Sequence, residues 1–215
     1  MYKNLKLALF FTFIVTPLFS QKKTTAFAII EFLYPAERSS LSGNSHLNLS
    51  FGMGIGLNLK TQFTENSALV YGLEYASTQR NIIFDGFSTF GAFSHFKIPV
   101  YYQYSLALDR KNKINFFLGT KVVLQDGARI SVGGSGNFGK KYEVERKEGV
   151  FPLVTFGLGY DLKFKGNYFI GLEAGYSSGF LTATETKFKS EGQEVKYSSK
   201  LSHINVKVLF PLNVK

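Results

Sequence analysis

The sequence contains no cysteine and no long apolar run, and these two absences exclude whole classes of protein. Because none of its 215 residues is cysteine, disulfide bonds, thiolate metal sites, cysteine nucleophiles and a lipoprotein anchor are excluded. A helix that spans a bilayer needs about 20 mostly apolar residues. The longest apolar run, residues 7–19, is shorter and is interrupted by Thr12, Thr16 and Pro17. A helical membrane protein is therefore excluded as well.

The apolar run near the start has the features of an export signal. Lys3 and Lys6 supply positive charge before the run, and Ser20 offers a small residue for cleavage after it. We therefore predict a signal peptide at residues 1–20 and a single domain at residues 21–215.

The chain is basic, but its charge is not arranged for nucleic acid. The formal net charge is +10, and it falls to +8 once Lys3 and Lys6 leave with the signal. No block of five like charges occurs, and the aromatic residues follow strand spacing. We expect no nucleic-acid partner, and attraction to anionic lipid head groups or saccharides is the better use of this charge.

Residues 96–108 alternate between bulky apolar residues and smaller or polar ones. The first set consists of Phe96, Ile98, Val100, Tyr102, Tyr104, Leu106 and Leu108. A period of two indicates a β-strand. This one exceeds the usual five or six residues, whereas a tilted strand that crosses a bilayer needs about nine to eleven. After a polar turn at 109–113 the alternation resumes over 114–122, which predicts a transmembrane hairpin.

Eight segments of this kind follow one another after the signal. They lie near residues 26–34, 46–63, 69–84, 96–108, 114–122, 154–164, 168–176 and 204–210. The first, third, fifth and seventh links between them are long, at 36–45, 85–93, 125–149 and 182–200. The other three links are short. Short periplasmic turns that alternate with long external loops are typical of outer-membrane barrels. We predict an all-β fold, an eight-stranded antiparallel up-and-down transmembrane β-barrel in the cell outer membrane. Its expected partners include outer-membrane lipids and lipopolysaccharide.

The alternative fold is a soluble eight-stranded barrel with its apolar face inward. The bulky side chains are too numerous for an interior that eight strands leave only just wide enough to fill. We therefore predict that they face lipid. The opposite face carries glycine, alanine, serine and charges that pair in the lumen. The predicted carboxylates are Glu31, Glu74, Asp161 and Glu173, and the predicted lysines are Lys60, Lys97, Lys121, Lys163 and Lys207.

A family resemblance rests on the hairpin at residues 95–124. Its Ile98-Pro99 step, Tyr104 and Leu118-Gly119 resemble a strand pair of the PorT-like outer-membrane β-barrel family, which is related in architecture to the OmpA membrane domain. The resemblance implies a small closed barrel in a Gram-negative envelope, and it implies no catalytic residue.

Two sets of residues have side chains that occur in binding or catalytic sites, but they lack the surrounding residues that such sites require. Residues 134–140, GSGNFGK, match the start of a phosphate-binding loop, but Lys141 replaces the required Ser or Thr and no helix follows. The histidines His46, His95 and His203 lie near external strand ends. Ser94 and Ser202 precede two of them and so face the other side of the sheet. We predict no catalytic, cofactor-binding or metal-binding residue.

The sequence thus favours a non-catalytic integral barrel that acts structurally or through its long loops, chiefly 125–149 and 182–200. Its roles would be envelope integrity, surface interaction with another protein, or accessory work in secretion. Two alternatives stay open. An outer-membrane lipid- or peptide-modifying enzyme requires His95 or His203 to meet a carboxylate and a hydroxyl. A narrow channel requires a continuous water-filled lumen.

Overall fold

The structure, a computed structural model, describes residues 23–35, 46–48, 51–84, 87–109, 111–133, 141–163, 169–190 and 193–212. Eleven strands account for nearly all of these residues. They are β1 (Thr24–Pro35), β2 (His46–Asn48), β3 (Gly52–Gln62), β4 (Ser67–Phe84), β5 (Phe87–Ala107), β6 (Asn112–Gln125), β7 (Ala128–Gly133), β8 (Lys141–Arg146), β9 (Gly149–Lys163), β10 (Phe169–Ser190) and β11 (Gln193–Leu212). In the described part of the chain, no helix has the length and apolar character needed to cross a membrane.

Eight of the strands close into a barrel. Each is antiparallel to its neighbours in the order β1, β3, β4, β5, β6, β9, β10, β11. The first and last strands then pair with each other, from Ala26 opposite Leu212 to Pro35 opposite His203. Closure gives hydrogen-bond partners to the backbone N–H and C=O groups along both edges of the sheet, and hydrocarbon cannot supply such partners. The predicted eight-stranded up-and-down barrel is confirmed.

The two faces of each barrel strand differ as the alternation predicted. In β6, Asn115, Phe117, Lys121 and Val123 are buried in the lumen. Leu118, on the opposite face of the same strand, is 61% exposed. Successive Cβ atoms of a strand point to opposite sides of the sheet, so the register of a strand determines the face on which each of its side chains lies.

Three of the predicted long loops contain strand, and those predictions were wrong. Within 85–93, β5 already begins at Phe87 and pairs with the end of β4. Within 125–149, β7 and β8 form a hairpin, and β8 pairs with β10. Within 182–200, β10 runs to Ser190 and β11 begins at Gln193. The backbone continues to pair in these segments, although the bulky apolar alternation of the neighbouring strand segments stops there.

The wall of the barrel is irregular at two places. The pairing of β4 with β5 passes from Tyr71 opposite Val100 to Glu74 opposite Lys97, and it skips the two pairs between them, one of which would include Pro99. Proline has no N–H to donate to the ladder. The pairing of β10 with β11 shifts register between Ser178 and Thr182.

Some predictions fall on residues outside the described part of the chain. These are the signal peptide at 1–20, the glycine-rich segment at 134–140, the turn at 165–167 and the loop at 36–45. The signal peptide and the boundary at residue 21 stay predictions.

Candidate functional site: the lumen

Five charged side chains from five strands meet inside the barrel. Glu31 lies on β1, Glu74 on β4, Lys97 on β5, Lys121 on β6 and Lys207 on β11. Each occupies an inward position of its strand, and each is no more than 1% exposed. We call these five residues the charge cluster.

Ion pairs link the members of the charge cluster across the lumen. Lys97 is hydrogen-bonded to Glu31, and Lys207 is hydrogen-bonded to Glu74. Lys97 Nζ also lies 3.5 Å from Glu74 Oε2, and Lys121 Nζ lies 3.7 Å from Glu31 Oε1. Buried charges are tolerated when they are paired and hydrogen-bonded. The cluster therefore ties β1, β4, β5, β6 and β11 together through the barrel axis.

An aromatic pair fills the lumen beside the charge cluster. Tyr101 and Phe117 have ring centroids 5.0 Å apart, and Val70 packs against them. The Tyr101 hydroxyl donates to Glu173 Oε2 at 2.9 Å, and Lys207 Nζ lies 5.8 Å from the Tyr101 ring centroid.

Glycine provides the room that these two rings need. A Cβ atom on Gly119 would lie 2.4 Å from the Tyr101 Cα atom. A Cβ atom on Gly157 would lie 2.5 Å from the Phe117 Cζ atom. A larger residue at Gly119 would require the strands to separate, and one at Gly157 would require the Phe117 ring to move.

Further groups fill the lumen toward its two ends. Toward the external end, a buried apolar cluster contains Val123, Phe151, Leu153 and Ala183, with Leu201 packed against it. Gln125 Nε2 donates to the carbonyl oxygens of Lys147 and Ala183, at 2.9 and 3.1 Å. Near the short turns, Lys60 Nζ lies 3.3 Å from Asp161 Oδ2. Side chains thus occupy the lumen at several levels along the axis.

The predicted lumenal pairing is confirmed for most of the named residues. Glu31, Glu74, Asp161, Lys60, Lys97, Lys121 and Lys207 form the ion pairs given above. Glu173 differs, because its hydrogen-bond donor is Tyr101. Lys163 is the last residue of β9 and is half-buried. The roles of Tyr101 and Phe117 were missed, although the alternation alone places both on the inward face.

The structure does not bring together the hydroxyl and imidazole groups considered for catalysis. His95 and His203 are buried on the inward face. Ser94 is exposed on the outer face, and the Ser202 Oγ atom lies 3.2 Å from Ser178 Oγ. The His46 side chain lies outside the described residues. Among the described residues, no group of three or more His, Asp or Glu side chains stands at metal-binding distances.

The outer wall of the barrel is a continuous apolar surface. Its most exposed members include Ile55 at 66%, Leu57 at 57% and Leu158 at 54%. Phe116 and Phe156, on the neighbouring strands β6 and β9, extend this surface. Soluble proteins rarely expose contiguous apolar patches larger than a few hundred Å². A wall of this kind around a polar, filled lumen suits hydrocarbon as its surroundings.

Comparison with solved structures agrees with this geometry. The chain is similar to the outer membrane protein OprG from Pseudomonas aeruginosa, with a TM-score of 0.58 at 9% identity over 87% of this chain and 93% of that chain. The fold is that of a small outer-membrane β-barrel. The apolar wall together with this fold assigns the barrel to the outer membrane, and the alternative of a soluble barrel is wrong.

Two other structures resemble the barrel more weakly. Neisserial surface protein A matches with a TM-score of 0.46 at 13% identity, over 87% of this chain and 98% of that chain. The attachment invasion locus protein Ail of Yersinia pestis matches with a TM-score of 0.44 at 9% identity, over 88% of this chain and 99% of that chain. No family model and no curated protein matches the sequence.

Proposed function

We propose that this integral outer-membrane barrel is neither a channel nor an enzyme, and that it acts through the strands that extend beyond the bilayer. The observation that carries the proposal is the charge cluster, whose five side chains meet across the lumen and leave each member at most 1% exposed. A solute path along the axis would have to break several buried ion pairs. Breaking one such pair costs about 3–5 kcal/mol.

The external extensions are large enough to serve as a contact surface. β10 has 22 residues and β11 has 20, whereas about 9–11 residues cross a bilayer. About half of each strand therefore projects beyond the hydrocarbon. There β10 pairs with both β8 and β11, and β7 pairs with β8. The result is a four-stranded external sheet.

The composition of this sheet supports lipopolysaccharide and a surface or envelope protein as its partners. Lysine and arginine recur along its strands, at Arg129, Lys141, Arg146, Lys187, Lys189, Lys196 and Lys200. Acidic residues are interspersed, and Lys147 Nζ lies 2.5 Å from Glu185 Oε1. Cations close to the membrane surface attract anionic head groups.

Membership of the PorT-like family belongs to the same proposal. Two of the residues that carry the resemblance have structural roles in this barrel, and this supports membership of the family. Pro99 belongs to one of the two skipped pairs between β4 and β5. Gly119 is opposite Tyr101 and leaves space for the Tyr101 Cα and Cβ atoms.

The decisive experiment is conductance across a planar lipid bilayer. We expect the purified full chain to give no steady conductance above that of the bare bilayer. A porin, whose barrel encloses a water-filled channel, serves as the comparison for an open lumen under the same conditions. A steady, voltage-independent conductance from the unaltered chain would show that it is a channel and refute the proposal.

The contact role is tested separately. A variant in which a short Gly-Ser turn replaces residues 127–147 removes the β7–β8 hairpin but no membrane-crossing strand. We expect this variant to keep the heat-dependent shift in gel mobility that marks a closed barrel. We also expect weaker binding of added lipopolysaccharide micelles by the detergent-solubilised protein. Unchanged binding would refute the role of this sheet.

A further inference from the structure

The barrel wall has a bulge at which two neighbouring apolar residues both face outward. Three residues of β10, 179–181, stand opposite the single residue Leu201 of β11. In a regular strand, successive side chains alternate between the two faces. Here Phe180 and Leu181 are both exposed, at 68% and 50%, and the first value is the highest among the large apolar side chains that the structure describes. Bulges redirect side chains and are frequent beside functional sites. We call residues 179–181 the β10 bulge.

Packing and hydrogen bonds inside the barrel hold the β10 bulge in this shape. A Cβ atom on Gly179 would lie 2.7 Å from the Leu153 Cδ2 atom, so the backbone passes close to the lumenal apolar cluster. Ala183, which follows the bulge, is fully buried in the same cluster. Its carbonyl oxygen accepts hydrogen bonds from Gln125 Nε2 at 3.1 Å and from the Lys147 backbone N–H at 3.0 Å. The backbone is therefore held on both sides of the two outward side chains.

The β10 bulge lies near the external boundary of the hydrocarbon. Phe180 is the twelfth residue of β10, which begins at Phe169, and about 9–11 residues of a tilted strand cross a bilayer. Beyond the bulge the strand continues with the polar residues Thr182, Thr184 and Thr186. The two exposed apolar side chains therefore stand where the lipid-facing wall ends.

A lysine without a carboxylate partner stands beside the β10 bulge. Lys200 on β11 is opposite Thr182, the residue that follows Leu181, and opposite residues of an antiparallel pair have Cα atoms about 4.5–5.5 Å apart. The Lys200 side chain is exposed, and no carboxylate of the described residues forms an ion pair with it. Lys147 differs, because its Nζ atom lies 2.5 Å from Glu185 Oε1. The Lys200 ammonium can therefore bind an anionic group next to Leu181.

We propose that the β10 bulge and Lys200 form a binding site for one lipopolysaccharide molecule of the outer leaflet. An acyl chain packs on Phe180 and Leu181, and the Lys200 ammonium donates hydrogen bonds to a phosphate of the head group. A lipid fits better than a protein segment, because the apolar pair continues the lipid-facing wall and the cation lies at its polar end. The site rests on the proposed lipopolysaccharide contact and narrows it to one place on β10 and β11.

Native mass spectrometry of the full chain in detergent micelles tests the site, because it counts the lipids bound to each chain. The probe is diphosphoryl lipid A, the part of lipopolysaccharide that carries the acyl chains and the phosphates. We expect one saturable site. Lys200→Met should weaken binding about tenfold, since hydrogen bonds between charged groups are the strong ones. Phe180→Ser should also weaken it about tenfold, through loss of apolar contact. Lys200→Arg should keep the affinity, because a guanidinium also binds phosphate.

Two matched controls lie at the opposite end of the barrel. Lys111→Met removes an exposed lysine beside the turn at 109–113, and Leu108→Ser removes an apolar side chain that is 58% exposed. We expect both variants to bind lipid A as the unaltered chain does. Each variant is first checked for the heat-dependent mobility shift of a closed barrel.

The possible outcomes separate this site from the wider proposal. No saturable lipid A binding by the unaltered chain would overturn both the site and the proposed lipopolysaccharide contact. Saturable binding that Lys200→Met and Phe180→Ser leave unchanged would overturn the site alone and would leave the β10 bulge to a protein partner. Equal losses in the variants and their controls would also overturn the site. So would equal affinity for phosphatidylethanolamine, since the bulge would then be a general phospholipid surface.

Discussion

Replacement of Lys97 by methionine tests whether the charge cluster stabilises the barrel. Lys97 is hydrogen-bonded to Glu31, and its Nζ atom lies 3.5 Å from Glu74 Oε2. Methionine keeps most of the side-chain volume and removes the charge. Removal of one partner from a buried ion pair costs about 3–5 kcal/mol, because the other charge is left buried and unpaired. Lys121 still lies 3.7 Å from Glu31, so we expect a loss of about 3 kcal/mol, at the low end of that range.

Two further variants separate ion pairing from simple loss of packing. Lys147→Met removes a lysine whose pair with Glu185 is exposed to solvent, at 42% and 33%. Such a pair is worth about 0–1 kcal/mol. Glu31→Gln combined with Lys97→Met removes both buried charges of one pair. We expect the double variant to be less destabilised than the sum of the single variants by about 2 kcal/mol.

The assay is the free energy of unfolding from urea titration in detergent micelles or lipid vesicles. The chain has no tryptophan and 12 tyrosines, so folding is followed by tyrosine fluorescence and by gel mobility without heating. The midpoint and slope of each titration give the free energy of unfolding. A loss below about 1 kcal/mol for Lys97→Met, or additive effects in the double variant, would refute the role of the cluster.

Three other changes follow from the same structure. Leu118→Arg places a charge on the lipid-facing wall near the middle of β6 and should lower the free energy of unfolding in vesicles by about 2–4 kcal/mol. Leu108→Arg, beside the turn, should lower it by only about 0–1 kcal/mol. Equal losses would contradict the orientation of the wall. Gly119→Ala forces a Cβ atom to within 2.4 Å of the Val100 carbonyl oxygen and should destabilise the barrel by about 1–3 kcal/mol. Gly159→Ala, whose closest contact would be 3.2 Å, should destabilise it less in the same urea titration. Hydrogen bonds from the Lys111 backbone N–H and the Asn112 side chain lower the pKa of Asp109. The stabilisation that they give is present above the ordinary carboxyl pKa and is lost as the pH falls through the lowered pKa. Asp109→Ala should therefore reduce the free energy of unfolding at pH 7 and should reduce it less as the pH is lowered; a difference that does not change with pH would contradict this.

The orientation of the strands was predictable because it depends only on neighbouring residues. Bulky and small residues alternate along 96–108, and the structure places Phe96 and Leu106 on the outer face and Lys97 and Ser105 on the inner face. The side-chain period of a strand is two, so a few apolar positions determine all the others. The charges of the lumen could therefore be named from the sequence.

The partners within the lumen were not predictable in the same way. Lys97 meets Glu31, 66 positions away in the sequence, and that contact depends on the stagger of all the strands between them. Strand stagger and tilt are properties of the closed barrel. The sequence offered several lysines for each carboxylate and no means to choose among them.

The external ends of the strands were missed for a different reason. Residues 182–190 and 193–200 pair with each other over most of their length, yet they lack the bulky apolar alternation of a lipid-facing strand. Threonine recurs there at Thr182, Thr184 and Thr186, and β-branched residues favour strands. The threonines therefore indicate a strand, but the polarity of the segment indicates a loop more strongly.

A scan of β6 with single cysteines tests which face of the barrel wall meets lipid, and the cysteine-free chain permits it without any prior change. A nitroxide label is attached at each position from 115 to 123 in vesicles, and its collision rate with oxygen, which concentrates in hydrocarbon, is measured. We expect high rates at Phe116, Leu118 and Thr120 and low rates at Asn115, Phe117 and Lys121. High oxygen collision rates at the second set and low rates at the first would mean that the apolar face points into the lumen, and would contradict the account.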